Sequence, residues 1–130
     1  MILIDTHICL WWVDGSARLT SRQLLHLQTH QPAGLGVSVI SCWEVAKLVE
    51  VGRLGLGVPV QVWINQALAL PGVRLLELTP EIAVESTQLP APFHRDPADQ
   101  LLVTTARTLG IPMLTADMRI LQYPHVATLT

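Results

Sequence analysis

The stretch from His94 to Asp117 reads HRDPADQLLVTTARTLGIPMLTAD. Asp96 before Pro97 marks a helix start, because an aspartate side chain accepts from free N–H groups and proline's fixed φ suits the first turn. Asp99 falls in that turn. Leu101, Leu102, Thr105 and Leu109 are spaced so that one face packs inward until Gly110 stops the helix, and Pro112 prevents its return. Met113, Leu114 and Thr115 then read as a short buried strand. Asp117 stands where that strand runs out, at the edge where open α/β sheets place their ligands.

Working outward, Met1 to Ile4 is a continuous apolar run ending in Asp5, the pattern of a parallel strand buried on both faces. Ile8 to Val13 reads as a short helix in which Trp11 and Trp12 point different ways, one to the core and the other to the surface or an interface. Asp14 and Gly15 end it. A second helix through Leu24, Leu25 and Leu27 is capped by Thr20 or Ser21. Leu35 to Ile40 is the second strand, and Ser41 to Glu44 has the form of a capping box opening a helix through Val51. Residues 58 to 70 suit a helix, although Val60, Val62 and Ile64 also alternate like a strand. Val73 to Leu78 is a strand, Pro80 to Gln88 a helix, and Pro90 and Pro92 lie in the loop entering the 94–117 stretch. A helical turn after Asp117 and an edge strand at Val126 to Leu129 complete the chain. Condensed to βααβααβαβαβ, with a crossover before each new strand, the order implies an α/β fold with a parallel sheet covered by helices on both faces.

The chain's 130 residues suit one domain, 1–130. Half are hydrophobic and only 14% are charged, an apolar surplus that points to an exposed oligomer or partner surface. The longest uncharged run, between Arg53 and Arg74, is broken by glycine, proline and amide residues and is no membrane span. No basic segment precedes the apolar N-terminus, so no signal peptide is expected and a cytoplasmic address follows by default. Cys9 and Cys42 lack a short metal-binding spacing and are expected to be reduced thiols. No glycine-rich loop sits between strand and helix, which argues against a dinucleotide cofactor. A net charge of −2 argues against strong nonspecific nucleic-acid binding, unless the acids are concentrated in one cleft.

Concentration is what the pattern predicts. Asp5 and Asp117 follow strands, while Glu44 and Asp99 come in first helical turns after a strand or its incoming loop, and in a parallel sheet these places share one rim. Converging carboxylates repel unless protonated or bound to a hard cation, and oxygen-only ligation suits Mg²⁺ or Mn²⁺. Such an ion lowers the pKa of water and stabilises charge on a phosphate, as phosphodiester hydrolysis requires. Taken singly, the acids have plainer readings. Asp96 is most simply an N-cap; Glu44 and Asp99 can complete capping boxes with Ser41 and Asp96; Asp117 can begin a turn. Asp5 is harder to dismiss, because an acid after four apolar strand residues is costly to bury alone. His7 and His94 flank the rim without a second histidine or cysteine at ligand spacing, so solvent-facing or hydrogen-bonded rings are expected and a zinc site is not. Arg95, Lys47 and Arg119 are candidates for contact with a phosphate backbone.

With these residues in place, nearly the whole chain resembles a PIN-domain ribonuclease, specifically a VapC-like toxin of a toxin–antitoxin pair. LIDTH at Asp5, SCWEVAKL at Glu44, HRDPADQLLVTTA at Asp99 and LTAD at Asp117 carry the likeness. It implies a PIN-like three-layer α/β/α sandwich and an acidic Mg²⁺ or Mn²⁺ site at Asp5, Glu44, Asp99 and Asp117. Thr6 and Thr115 match positions where a hydroxyl supports such sites, and Asp96 matches a DPxD form. Endoribonuclease activity leaving a 5′-phosphate, a homodimer and a cognate VapB-like antitoxin are also implied. Two other readings stay open. One is a phosphatase or phosphotransfer domain with Asp5 as nucleophile, although Asp5-Thr6-His7 lacks the second acid that one such class uses. The other is a noncatalytic interaction module whose acids are only caps.

Overall fold

Ile2 and Ile4 of the first strand face one hydrophobic cluster and Leu3, between them, faces another. Side chains on a strand alternate between its faces, so this strand has a core on each side, and helices cover both. The computed structural model describes residues 1–130. Its elements are β1 (Ile2–Ile4), α1 (Thr6–Val13), α2 (Ser21–His30), β2 (Leu35–Ser38), α3 (Val39–Glu50), α4 (Val60–Leu68), β3 (Val73–Leu76), α5 (Pro80–Glu85), α6 (Pro97–Leu109), β4 (Met113–Leu114), α7 (Met118–Leu121) and β5 (Thr128–Leu129). Two helices, α5 and α6, separate β3 from β4, where the condensed order had one. All four strand pairings are parallel and the sheet runs β3-β2-β1-β4-β5.

That order fixes where the site lies. From β1 the chain winds outward to β2 and β3 on one side, then returns to add β4 and β5 on the other. The strand order therefore reverses between β1 and β4, and the crevice beyond their carboxyl ends is where open α/β sheets bind ligands. One core layer joins Ile2, Ile4, Leu35, Val37 and Leu114 to Ile8 and Leu10 of α1, Leu27 of α2 and Trp63 and Ala67 of α4. The other joins Leu3 and Met113 to Leu102, Val103 and Ala106 of α6 and to Ile120 of α7. The three-layer α/β/α arrangement agrees with the expected fold class. No helix is long and apolar enough to cross a membrane.

Several boundaries differ from expectation, each for a local reason. The second strand stops at Ser38, whose side chain accepts from the Ile40 amide and caps α3; Ser41 is therefore inside the helix and opens no capping box. α1 begins at Thr6, two residues early, because Asp5 caps it. Trp11 and Trp12 are both half-buried against the same core cluster, where one was expected in the core and the other at the surface or an interface. Leu109, expected inside, is 45% exposed because the last turn of α6 extends past the core. Residues 60–68 form a helix rather than a strand, although Val62 lies on its exposed face and Trp63 and Ala67 are the buried residues. Gly110 adopts φ 65° and closes α6, with the Ile111 amide donating to Ala106 at 3.1 Å. Cys9 and Cys42 are free thiols, and burial pushes Cys9 up to about 12.

Gly72 is the tightest backbone position before β3. Its φ is +80°, and a Cβ there would stand 2.1 Å from the Gln31 carbonyl oxygen at the end of α2. Gly72→Ala is expected to destabilise the fold by about 2 kcal/mol or more, since left-handed strain adds to a clash with backbone that cannot turn aside. Thermal melts check this; a melting temperature unchanged from wild type would contradict it.

Candidate active site

At the reversal point the chain buries a carboxylate. Asp5 is 6% exposed at the end of β1 and both of its oxygens are held. Oδ1 accepts from the Thr6 amide at 2.7 Å, the N-cap bond of α1, and Oδ2 accepts from Thr115 Oγ1 at 2.6 Å. Thr115 follows β4, so that bond spans the crevice between the two strands. The Thr115 hydroxyl oxygen in turn accepts from the Asp117 amide at 3.0 Å, which aligns the turn leading into α7.

A second chain of hydroxyls reaches Glu44. Thr6 Oγ1 donates to Glu44 Oε1 at 2.6 Å and lies 2.8 Å from Ser41 Oγ. A hydroxyl has one proton, so with Thr6 donating to Glu44 the Ser41 hydroxyl must donate to Thr6. Ser41 and Glu44 are three residues apart on α3 and so share a helix face. That spacing was the available signal for Ser41, whose supporting place the sequence reading missed. With the helix starting at Val39, Glu44 lies in its second turn, which removes the capping-box reading.

Asp99 sits on the first turn of α6, 7% exposed, its amide donating to the Asp96 N-cap at 3.0 Å. Its Oδ2 is 2.6 Å from His94 Nε2, the hydrogen-bonded histidine the spacing argument anticipated. The His94 backbone carbonyl accepts from Gln100 Nε2, tying the loop to the helix. Asp117 is the most open of the four acids and is clasped by Arg119, with Nη2 at 3.0 Å from Oδ2; the same nitrogen is 3.6 Å from Asp99. Lys47 pairs with Glu50 on the outer face of α3, and Arg95 is exposed beside His94.

These surroundings divide the acids. Burial raises Asp5, and neighbouring Asp99 adds to this while the Thr115 hydrogen bond opposes it. Burial also pushes Glu44 up to about 7, against the Thr6 bond and with further repulsion from Asp5, Asp99 and Asp96. Asp99 is raised by burial, then by Asp96 and Asp117, against its bond to His94. For Asp117 burial again acts upward, but the hydrogen bonds and charge of Arg119 outweigh it and hold the group below the usual carboxylate range. The mutual repulsion places the four acids and Asp96 in one electrostatic field. No three of the chain's histidine, cysteine, aspartate and glutamate side chains close into a ready-made metal cage, and each acid is turned to a donor of its own.

The PIN-domain family profile matches residues 2–126. The chain belongs to the PIN-domain family. This PIN domain is 33% identical to ribonuclease VapC22 of Mycobacterium tuberculosis over 132 aligned positions, covering 99% of this chain and 96% of the relative. Among solved structures, FitAcB from Neisseria gonorrhoeae superposes with a TM-score of 0.71 at 22% identity, covering 100% of this chain and 97% of that one. VapC20 of Mycobacterium tuberculosis, described as a Sarcin-Ricin loop cleaving toxin, gives a TM-score of 0.61 at 18% identity, covering 98% and 99%. At those identities the likeness is one of fold.

Glu44 supplies a direct check on the electrostatics of this PIN domain. Its folded pKa is raised to about 7 from 4.5, so the folded protein binds the proton more tightly and the stability from that proton is lost as pH rises between those values. With EDTA present, Glu44→Gln is expected to melt about 2–4 °C above wild type near pH 8, with the gap closing near pH 5. A variant that melts lower than wild type near pH 8 would contradict the assignment.

Proposed function

We propose that this chain is an endoribonuclease toxin of a toxin–antitoxin pair, hydrolysing RNA phosphodiester bonds with Mg²⁺ or Mn²⁺ held by Asp5, Glu44, Asp99 and Asp117. The observation that carries the reading is the gathering of these acids at the β1–β4 reversal, three of them raised by burial and by one another. A set of carboxylates that resists its own charge fits a hard divalent cation, to which the four acids offer oxygen. When bound, such an ion activates water and offsets the charge that develops on the phosphate and leaving oxygen.

The chain's own residues orient that chemistry. Thr115 and the Thr6 amide hold Asp5, the Thr6 hydroxyl holds Glu44, and His94 holds Asp99, each leaving lone pairs on the carboxylate for a ligand. Arg119 keeps Asp117 ionised while its guanidinium, 59% exposed, faces the opening and suits a phosphate oxygen. Water attacks phosphorus and the bond to the 3′ oxygen breaks, so the products carry a 5′-phosphate and a 3′-hydroxyl. Asp5, with both oxygens engaged and little exposure, makes a poor nucleophile, which speaks against a phosphoenzyme.

Identity to ribonuclease VapC22 along almost the full length supports the substrate class. Fold neighbours described as toxin–antitoxin complexes, from Klebsiella pneumoniae and as VapBC from Salmonella typhimurium, support a VapB-like antitoxin as partner. Exposed apolar side chains, among them Leu25 at 61% and Trp43 at 54%, supply surface for that antitoxin and for a second copy in a homodimer. The protein then acts in the cytoplasm, on cellular RNA.

Purified protein is expected to cut RNA in Mg²⁺ or Mn²⁺ and not in EDTA. Asp99→Asn, shown folded by circular dichroism, is expected to lose more than about 100-fold in rate, beyond what loss of an outer partner costs a metal site. Gel analysis of total and structured RNA checks this. Cutting that persists in EDTA, or an Asp99→Asn variant as fast as wild type, would overturn the reading.

A further inference from the structure

Opening from the Asp99–Asp117 side of the acid cluster is a hollow of about 480 Å³, walled by Phe93, His94, Arg119, Gln122 and Tyr123. That size lies within the ~300–1,000 Å³ range of small-ligand sites. The chain has a single phenylalanine and a single tyrosine, and both stand here. The Phe93 ring centroid is 4.3 Å from that of His94 and 4.6 Å from that of Tyr123. Tyr123 is occupied structurally: it is buried and its hydroxyl donates to the Pro90 carbonyl at 2.7 Å. Phe93 is only half-buried, and Gln122 is exposed with a carboxamide that can both donate and accept.

Two residues belong to the hollow and to the acid cluster at once. His94 has its ring fixed by Asp99, and Arg119 has its guanidinium within 3.0 Å of Asp117 and 3.6 Å of Asp99. A group lodged against Phe93 is therefore next to whatever the acids act on.

We propose that this hollow is a nucleobase subsite, which takes the base of a nucleotide flanking the scissile phosphate against the Phe93–His94 rings, with Gln122 on the base edge and Arg119 on the phosphate. The proposal rests on the ribonuclease reading for its ligand class. The wall has the composition such a ligand needs: unstacked bases of single-stranded RNA are held on aromatic faces and guanidinium planes and are read by hydrogen bonds at their edges. A site for a bare anion has no use for two rings and an amide. The subsite thus confers base preference at one position beside the cut, and Phe93 and Gln122 set specificity without touching the reacting atoms.

Because Phe93 is the only phenylalanine, its ring resonances are unambiguous in NMR spectra of the intact protein. Wild type in EDTA is titrated with AMP, GMP, CMP, UMP and ribose 5-phosphate. At least one nucleotide is expected to shift the Phe93 ring and the Gln122 side-chain amide, whereas ribose 5-phosphate leaves the ring in place. Phe93→Leu, which keeps an apolar side chain on the core, is expected to weaken that binding ~5-fold or more. A ring unmoved by every nucleotide, leaving the hollow to a protein side chain, would overturn the subsite. So would a ring moved equally by ribose 5-phosphate, which marks an anion contact at Arg119 alone.

Sequencing cut ends from a randomised RNA gives the second readout. Phe93→Leu and Gln122→Ala are expected to flatten base preference at one position flanking the cut, whereas a uniform slowing at all sequences would count against the subsite. Wild type that binds nucleotides on Phe93 yet cuts no RNA leaves the subsite standing and removes the nuclease reading. RNA cutting with no response at Phe93 does the reverse.

Discussion

A carboxylate buried at the end of the central strand obliges its surroundings to supply donors, and the site grows from how Asp5 is satisfied. Its bond to the Thr6 amide starts α1, and its bond to Thr115 joins β1 to the strand that returns on the other side. Thr6, positioned by that cap, then reaches Glu44 and Ser41 on α3. Leaving such a group unpaired would cost more than its pairing contributes, so this constraint sets the order of everything around it.

The same packing that protects Asp5 raises the energy of its ionised form. Burial and proximity act in one direction on Asp5, Glu44 and Asp99, while Arg119 separates Asp117 from the group by holding it charged. The result is a site whose acid at the mouth, Asp117, is favoured in its ionised form, while burial and repulsion disfavour that form at the deeper Asp5, Glu44 and Asp99. Stability is surrendered there in the manner expected of functional sites, where acids that repel one another are kept together by the rest of the fold. The aromatic hollow adjoins the same site through two shared side chains, His94 and Arg119.

Much of this was legible in the chain because local signals coincided with global ones. An acid after four apolar residues at Asp5, an Asp-Pro start at Asp96 and a glycine stop at Gly110 all mean the same thing at short range and in the fold. The start of α3 was not legible, since Ser38 and Ser41 are equally good caps by type. What decides between them is the pairing of β2 with β3, which runs through Ser38 and Leu76, a partner far along the chain. His94 posed a related difficulty: its spacing excluded zinc, yet its place against Asp99 depends on how the loop before α6 turns back. Lys47 and Arg95 were singled out by charge alone, and charge does not say which way a side chain points; Lys47 points to Glu50.

The central proposal is that a divalent cation binds among these acids and displaces the proton that burial favours on Glu44. Calorimetric titration of wild type with Mn²⁺, in two buffers of different ionisation enthalpy, measures it directly. The account predicts proton release near pH 6 that diminishes near pH 8, once a Glu44 with a pKa of about 7 is already ionised. Mn²⁺ binding with no dependence on buffer near pH 6, or no binding at either pH, would contradict it.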